Sequence, residues 1–240
     1  MKDPRFLSRH GIAVNEPMGK HTAIAAGGNA DFFVSVSEPK TLMRIVGESV
    51  TNDLKVGLIG RGTKVVCSDF GYRGLVVHNA IDTFEIDDGT VTVGAGLALS
   101  DVVSRLADNG LGGLEAQASL DGSVGGALWA ASAADPTGLL EAARTVELVS
   151  GGSLISVAGR SLAGDRLRRG DEYVTRVTFA VIAKDKTEIQ RQSEAWLALG
   201  LAQRLLQDAA LAARVPKEVV GALRAYTPER VSQVTDVPVE

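Results

Sequence analysis

Two short glycine-rich turns carry the groups best able to hold an anion. Gly60-Arg61-Gly62-Thr63-Lys64 follows a short apolar run, and Gly122-Ser123-Val124-Gly125-Gly126 precedes a small-residue stretch from Ala127 to Ala134. Each offers backbone N–H groups and one hydroxyl close to the chain. Such groups form an anion cradle, above all at the start of a helix. Arg61 and Lys64 add positive charge to the first turn. Neither turn has the G-x-x-x-x-G-K-[ST] spacing of a Walker loop or the G-x-G-x-x-G of a dinucleotide fingerprint. Taken singly, spacing favours reading either as an ordinary tight turn where glycine allows close packing.

The remaining reactive residues are scattered. His10, His21 and His78 stand apart, and no histidine, cysteine or carboxylate group has metal-ligand spacing. Asp87-Asp88 reads as turn chemistry. The 240 residues are 45% hydrophobic and only 5% aromatic, which predicts an aliphatic core. A net charge of −4 argues against a nucleic-acid partner, which needs a basic face. Cys67 is the single cysteine, which fits a reducing compartment. Without an apolar leader or a membrane-spanning run, the expectation is a cytoplasmic protein.

The elements that must carry the turns can be read from periodicity. Ser37–Val50 is predicted as a helix capped by Ser37, with Leu42, Ile45 and Val46 on one face. Lys55–Gly60, Lys64–Asp69 and Gly74–Asn79 read as short strands. Phe84–Gly96 reads as a hairpin around Asp88-Gly89, and Thr145–Val157 as a second one around Gly151-Gly152. Leu99–Gly110 reads as a helix capped by Ser100 and stopped by Asn109-Gly110. Glu172–Lys184 alternates as a long strand. From Lys186 the pattern is helical, with Ile189, Trp196, Leu197, Leu201, Leu205 and Leu206 as an apolar stripe. Two further short helices are predicted at Pro216–Tyr226 and Thr227–Val234. The sum is an α+β chain.

In order, these segments resemble a family. Lys20–Val46 contains His21, Thr22, Gly27, Gly28, Ala30 and Asp31, which fit the H-T-x-x-x-x-G-G-x-A-D opening of the UDP-N-acetylmuramate dehydrogenases, the MurB reductases. Gly57–Asn79 is similar to their G-x-G-S-N loop and S-D-x-G-[FY]-R-G-L-V-I strand. Gly110–Ala133 is similar to their G-L-x-G-L-E-x-x-x-G-I-P-G-T-V-G-G-A segment. The match runs from about residue 18 to 183. The resemblance implies a two-subdomain FAD-binding fold of the vanillyl-alcohol-oxidase type. It divides the chain into 1–78, 79–185 and a helical segment 186–240 in place of a substrate domain. It implies that Gly60, Arg61, Gly62, Thr63, Lys64, Gly122, Ser123, Val124, Gly125 and Gly126 lie on the diphosphate of FAD.

The chain also departs from the family. Arg61 and Lys64 replace a glycine and an asparagine. Asp121 sets a carboxylate beside the expected diphosphate, a repulsion of several kcal/mol at ~4 Å and an effective dielectric of ~20. Ala131 and Ala133 stand where the family has asparagine and glycine, which weighs further against FAD. The Y-R-x-S motif is missing, leaving Arg168 or Arg169 as candidates for its arginine. The G-S-x-F-K-N-P serine is missing too; Ser193 stands in a helical setting, and Glu218, Glu229 and Glu240 have no family context. The expectation is therefore a MurB-like protein without reductase activity, a binding or scaffold protein linked to cell-wall synthesis or division; its C-terminal apolar stripe is expected to pack back onto the flavin fold and cover the exposed sheet, the alternative being a surface for a protein partner or a second copy. The alternatives are an active FAD- and NADPH-dependent reductase, or a flavoprotein with another redox reaction.

Overall fold

The structure is a computed structural model that describes residues 5–207, with side chains through residue 202. It divides into two compact units. One takes the chain up to Ala98 together with Gly122–Ala180; the other takes Leu99–Asp121 and the chain from Val181 on. These units cut the chain differently from the three consecutive segments above.

The first unit holds a four-stranded and a five-stranded sheet. Strands β1 (Ala13–Pro17), β2 (Asn29–Val36), β3 (Val56–Ile59) and β4 (Tyr72–Asn79) form the first, in the order β1-β2-β4-β3. β1 runs antiparallel to β2, whereas β2, β4 and β3 are parallel. Alternation sorts their side chains. Val34, Val36, Leu75 and Val77 share a buried cluster with Leu42, Ile45 and Val46 of helix α2 (Pro39–Thr51) and Phe6 of helix α1 (Arg5–Arg9). Phe33, Val76 and Ile59 face the other way and pack with Met18. The spacing of Leu42, Ile45 and Val46 is that of one helix face.

The five-stranded sheet is antiparallel throughout, in the order β5-β6-β10-β8-β9. Its strands are β5 (Phe84–Asp87), β6 (Thr90–Gly94), β8 (Ala143–Ser150), β9 (Ser153–Val157) and β10 (Glu172–Ala180). Both predicted hairpins form, with Gly89 at φ +71° and Gly151 and Gly152 at +55° and +78°. Val149 of β8 and Tyr173 of β10 belong to the same cluster as α2, so one core joins the two sheets. The buried Asn79 bridges them: its Nδ2 donates to the carbonyl of Val174 (2.9 Å) and its Oδ1 accepts from the amide of Ile81 (3.2 Å). Helices α4 (Val124–Ala131) and α5 (Leu139–Ala142) complete the unit.

The second unit contains α3 (Leu99–Asp108), the two-residue strands β7 (Leu111–Gly112) and β11 (Ile182–Ala183), which pair antiparallel, and α6 (Lys186–Gln207). α6 packs on a 3-10 turn at Glu115–Ser119. No helix among the described residues is long and apolar enough to cross a membrane.

Four local expectations are corrected. Lys64–Asp69 is a loop, not a strand: Val66 is 80% exposed, so the Val65-Val66 pair has no sheet to pack into. Ser37 does not cap α2. Glu38 occupies that position without a side-chain bond, and Pro39 opens the helix with its fixed φ. Ser100 lies inside α3, which starts at Leu99. The α6 stripe is not a single buried face. Ile189, Gln192, Leu199 and Ala202 are buried, whereas Leu197 and Leu201 are 44% and 56% exposed. Leu205 and Leu206, the two short helices predicted after Pro216, and Glu218, Glu229 and Glu240 lie outside the described side chains.

Candidate anion-binding site

The first turn leaves β3 at Gly60 and is fixed by the His21-Thr22 segment. Gly62 has φ +67°, and a Cβ there would lie 1.9 Å from the carbonyl oxygen of His21. Only glycine fits both the left-handed backbone and that gap. The amide of Ala23 donates to the carbonyl of Gly62 (3.0 Å), and the buried Thr22 hydroxyl donates to the carbonyl of Ala26 (3.0 Å). Among the described residues, the amides of Arg61, Gly62, Thr63 and Lys64 donate to no acceptor. Successive free N–H groups about a left-handed residue form a nest for an anion. Arg61 and Lys64 are exposed, and neither has a carboxylate partner among the described residues.

The other family-like motif residues brace this turn. A Cβ on Gly28 would lie 2.1 Å from the carbonyl oxygen of Asp69, and the Gly28 amide donates to Ser68 (2.9 Å). Arg73 pairs with Asp31 at 2.6 Å. The imidazole of His21 stacks on Phe33 with ring centroids 4.0 Å apart, and its Nε2 lies 3.0 Å from Glu16. That hydrogen bond holds the Glu16 carboxyl below the usual range. His78 lies beyond Phe33, with Nδ1 3.0 Å from the Ser35 hydroxyl. Burial first, and the nearby His21 second, push His78 below its usual pKa.

The second turn is built differently. Ser123 caps α4, its Oγ accepting from the amide of Gly126 (3.2 Å). The amides of Val124 and Gly125 donate to the carbonyls of Leu97 and Ala95, both at 2.9 Å. The three N–H groups that usually make a helix start attractive to anions are thus committed within the protein. The two turns touch: a Cβ on Gly60 would sit 2.1 Å from Ser123 Oγ, and one on Gly122 would sit 3.3 Å from Thr63 Oγ1. The start of α4 therefore supplies shape to the site rather than donors, while the amides of Gly122 and Ser123 donate to no acceptor among the described residues.

Asp121 is exposed. Ala131 is buried, so an amide at that position would face inward, and Ala133 is exposed beyond the helix end. Arg168 lies over the Trp129 ring at 4.5 Å from its centroid, with Nε 3.3 Å from Asp165. Arg169 is exposed. Ser193 is on α6, its hydroxyl buried without a partner among the described residues. The sequence reading missed one buried ionic site. Glu115 accepts from Lys184 (3.1 Å) and from the amide of Gly113 (3.0 Å), 69 residues separating the charged pair. The only signal for it is the glutamate inside the Gly110–Ala133 motif.

Comparisons with known proteins point to an FAD-binding fold. A family model described as an FAD binding domain matches residues 30–147. The UDP-N-acetylenolpyruvoylglucosamine reductase of Staphylococcus saprophyticus is 33% identical over 119 residues, covering 49% of this chain and 39% of that protein. The MurB reductase structure from Thermus caldophilus superposes with a TM-score of 0.61 at 25% identity, covering 80% of this chain and 68% of that one. This chain is a divergent relative of the MurB reductases. A structure of alkyldihydroxyacetonephosphate synthase shares the fold alone, with a TM-score of 0.56 at 14% identity over 76% of this chain and 42% of that one. The architecture is the α+β FAD-binding fold of the vanillyl-alcohol-oxidase type. The chain spans about two-fifths of the length of the curated relatives it matches.

Proposed function

We propose that this MurB-like chain holds a nucleotide diphosphate on its Gly60–Lys64 turn and performs no reductase turnover, acting as a binding or scaffold protein linked to cell-wall synthesis or division. The contrast between two places carries the reading. The amides of Arg61–Lys64 have no acceptor among the described residues and stand ready for an anion. Arg168, the candidate for the family's arginine, is engaged with Trp129 and Asp165.

FAD, the group the family implies, fits the first turn through its diphosphate. Arg61, Gly62, Thr63 and Lys64 would hold it there, with Gly122 and Ser123 as a wall. When bound it supplies a redox-active isoalloxazine ring. The chain's own part is to bind and orient. The nest and the two cations neutralise the diphosphate, and the His21-Thr22 segment keeps the nest open. General acid catalysis needs a donor within hydrogen-bond reach of the reacting carbon. The chain has no serine at the family's motif position for that step.

The second reading is an active FAD- and NADPH-dependent reductase, favoured by the intact first turn. The two part in one assay. Purified protein with FAD, NADPH and UDP-N-acetylglucosamine enolpyruvate is followed at the NADPH absorbance. No consumption above the protein-free rate is expected, and sustained enolpyruvate-dependent oxidation overturns the proposal.

A further inference from the structure

We infer that Arg61 and Lys64 make this turn selective for a nucleoside diphosphate, which ends in a free phosphate, over a dinucleotide whose diphosphate is esterified at both ends. The inference rests on the reading that the turn holds phosphate.

The charges around the turn set it apart. Arg73 is neutralised by Asp31 at 2.6 Å, and Lys20 lies 3.4 Å from Glu16, which also meets His21. Arg61 and Lys64 have no such partner among the described residues: the exposed acids Asp69, which follows them, and Asp121, which precedes the second turn, form an ion pair with neither. Two cations therefore remain unneutralised within one five-residue turn. A terminal diphosphate carries an additional ionised oxygen near neutral pH compared with a bridged one. That oxygen is what a second unpaired cation can use.

The arrangement of donors points the same way. Among the described residues the amides of Arg61, Gly62, Thr63 and Lys64 form an unbroken acceptor-free row, whereas those of Val124, Gly125 and Gly126, which open α4, are bonded to Leu97, Ala95 and Ser123. The contact of Gly60 with Ser123, and of Gly122 with Thr63, closes the seam between the turns. Arg61 and Lys64 at the two ends of the row are exposed, so a diphosphate held there can end in a free phosphate facing solvent.

The test is calorimetric titration of the full chain with ADP, inorganic pyrophosphate and FAD, repeated with the double variant R61Q/K64N. Both side chains are exposed, and an unchanged melting temperature checks that the variant folds. ADP is expected to bind about tenfold more tightly than FAD. The gap should narrow with added salt and disappear in the double variant. FAD binding as tightly as ADP, or a preference that survives R61Q/K64N, overturns the inference and leaves the phosphate site standing. Failure of all three ligands to bind overturns the phosphate reading itself.

Discussion

At the scale of the residue, the account depends on where a side chain has no room. Gly62 combines φ +67° with the carbonyl of His21 in the place of a Cβ. Gly62→Val should destabilise the chain by about 2 kcal/mol or more and abolish ligand binding, read by urea unfolding and calorimetry. Thr175 and Arg176 hold Glu147, whose carboxylate accepts from Arg176 at 2.8 and 3.1 Å and from the Thr175 hydroxyl at 2.7 Å. Arg176 is the larger cause of the depressed Glu147 pKa. A depressed folded pKa means stability fully present above the unfolded value of about 4.3 and lost as pH falls through the lower folded value. Arg176→Met should therefore cost stability at neutral pH, and the difference from the parent should shrink below about pH 4, as measured by unfolding across a pH series.

At the scale of the element, α4 separates a structural from a ligand role. Ser123→Ala removes the cap and should cost about 1 kcal/mol of stability, with ligand affinity changed far less than by Gly62→Val. Equal losses of affinity in the two variants would mean that α4 donates to the ligand after all. Periodicity made most of the frame legible. The Asp88-Gly89 and Gly151-Gly152 turns and the 42/45/46 face of α2 appear as read, whereas the strand read over Glu172–Lys184 ends at Ala180 and Ile182–Ala183 pairs in another sheet. Val65-Val66 misled because β-branched residues suit strands wherever a partner exists, and here none does. The α6 stripe misled because spacing counts apolar residues without knowing which face finds a neighbour. In the site, the glycine turns were visible as residues. Their unequal capacity was not, since it depends on the carbonyls of Ala95 and Leu97, which spacing alone does not bring to α4. The Glu115–Lys184 pair was hidden by its separation along the chain.

At the scale of the molecule, two sheets share one core, and the site sits at a turn leaving the smaller sheet. Asn79 is a polar tie between them, 3% exposed and bonded to the carbonyl of Val174 in the second sheet and to the amide of Ile81 just beyond its own strand. Asn79→Ala leaves buried groups unsatisfied and should cost about 1–3 kcal/mol, seen as an earlier cooperative transition in thermal or urea unfolding. On the proposed reading, a fold that keeps this frame and its acceptor-free turn, while its arginine candidate rests on Trp129, holds a ligand rather than transforming it. The most direct measurement of that claim is NADPH oxidation by FAD-supplemented protein in the presence of UDP-N-acetylglucosamine enolpyruvate, run beside Gly62→Val. The account predicts that neither protein exceeds the protein-free rate; enolpyruvate-dependent turnover by the parent that Gly62→Val abolishes would contradict it.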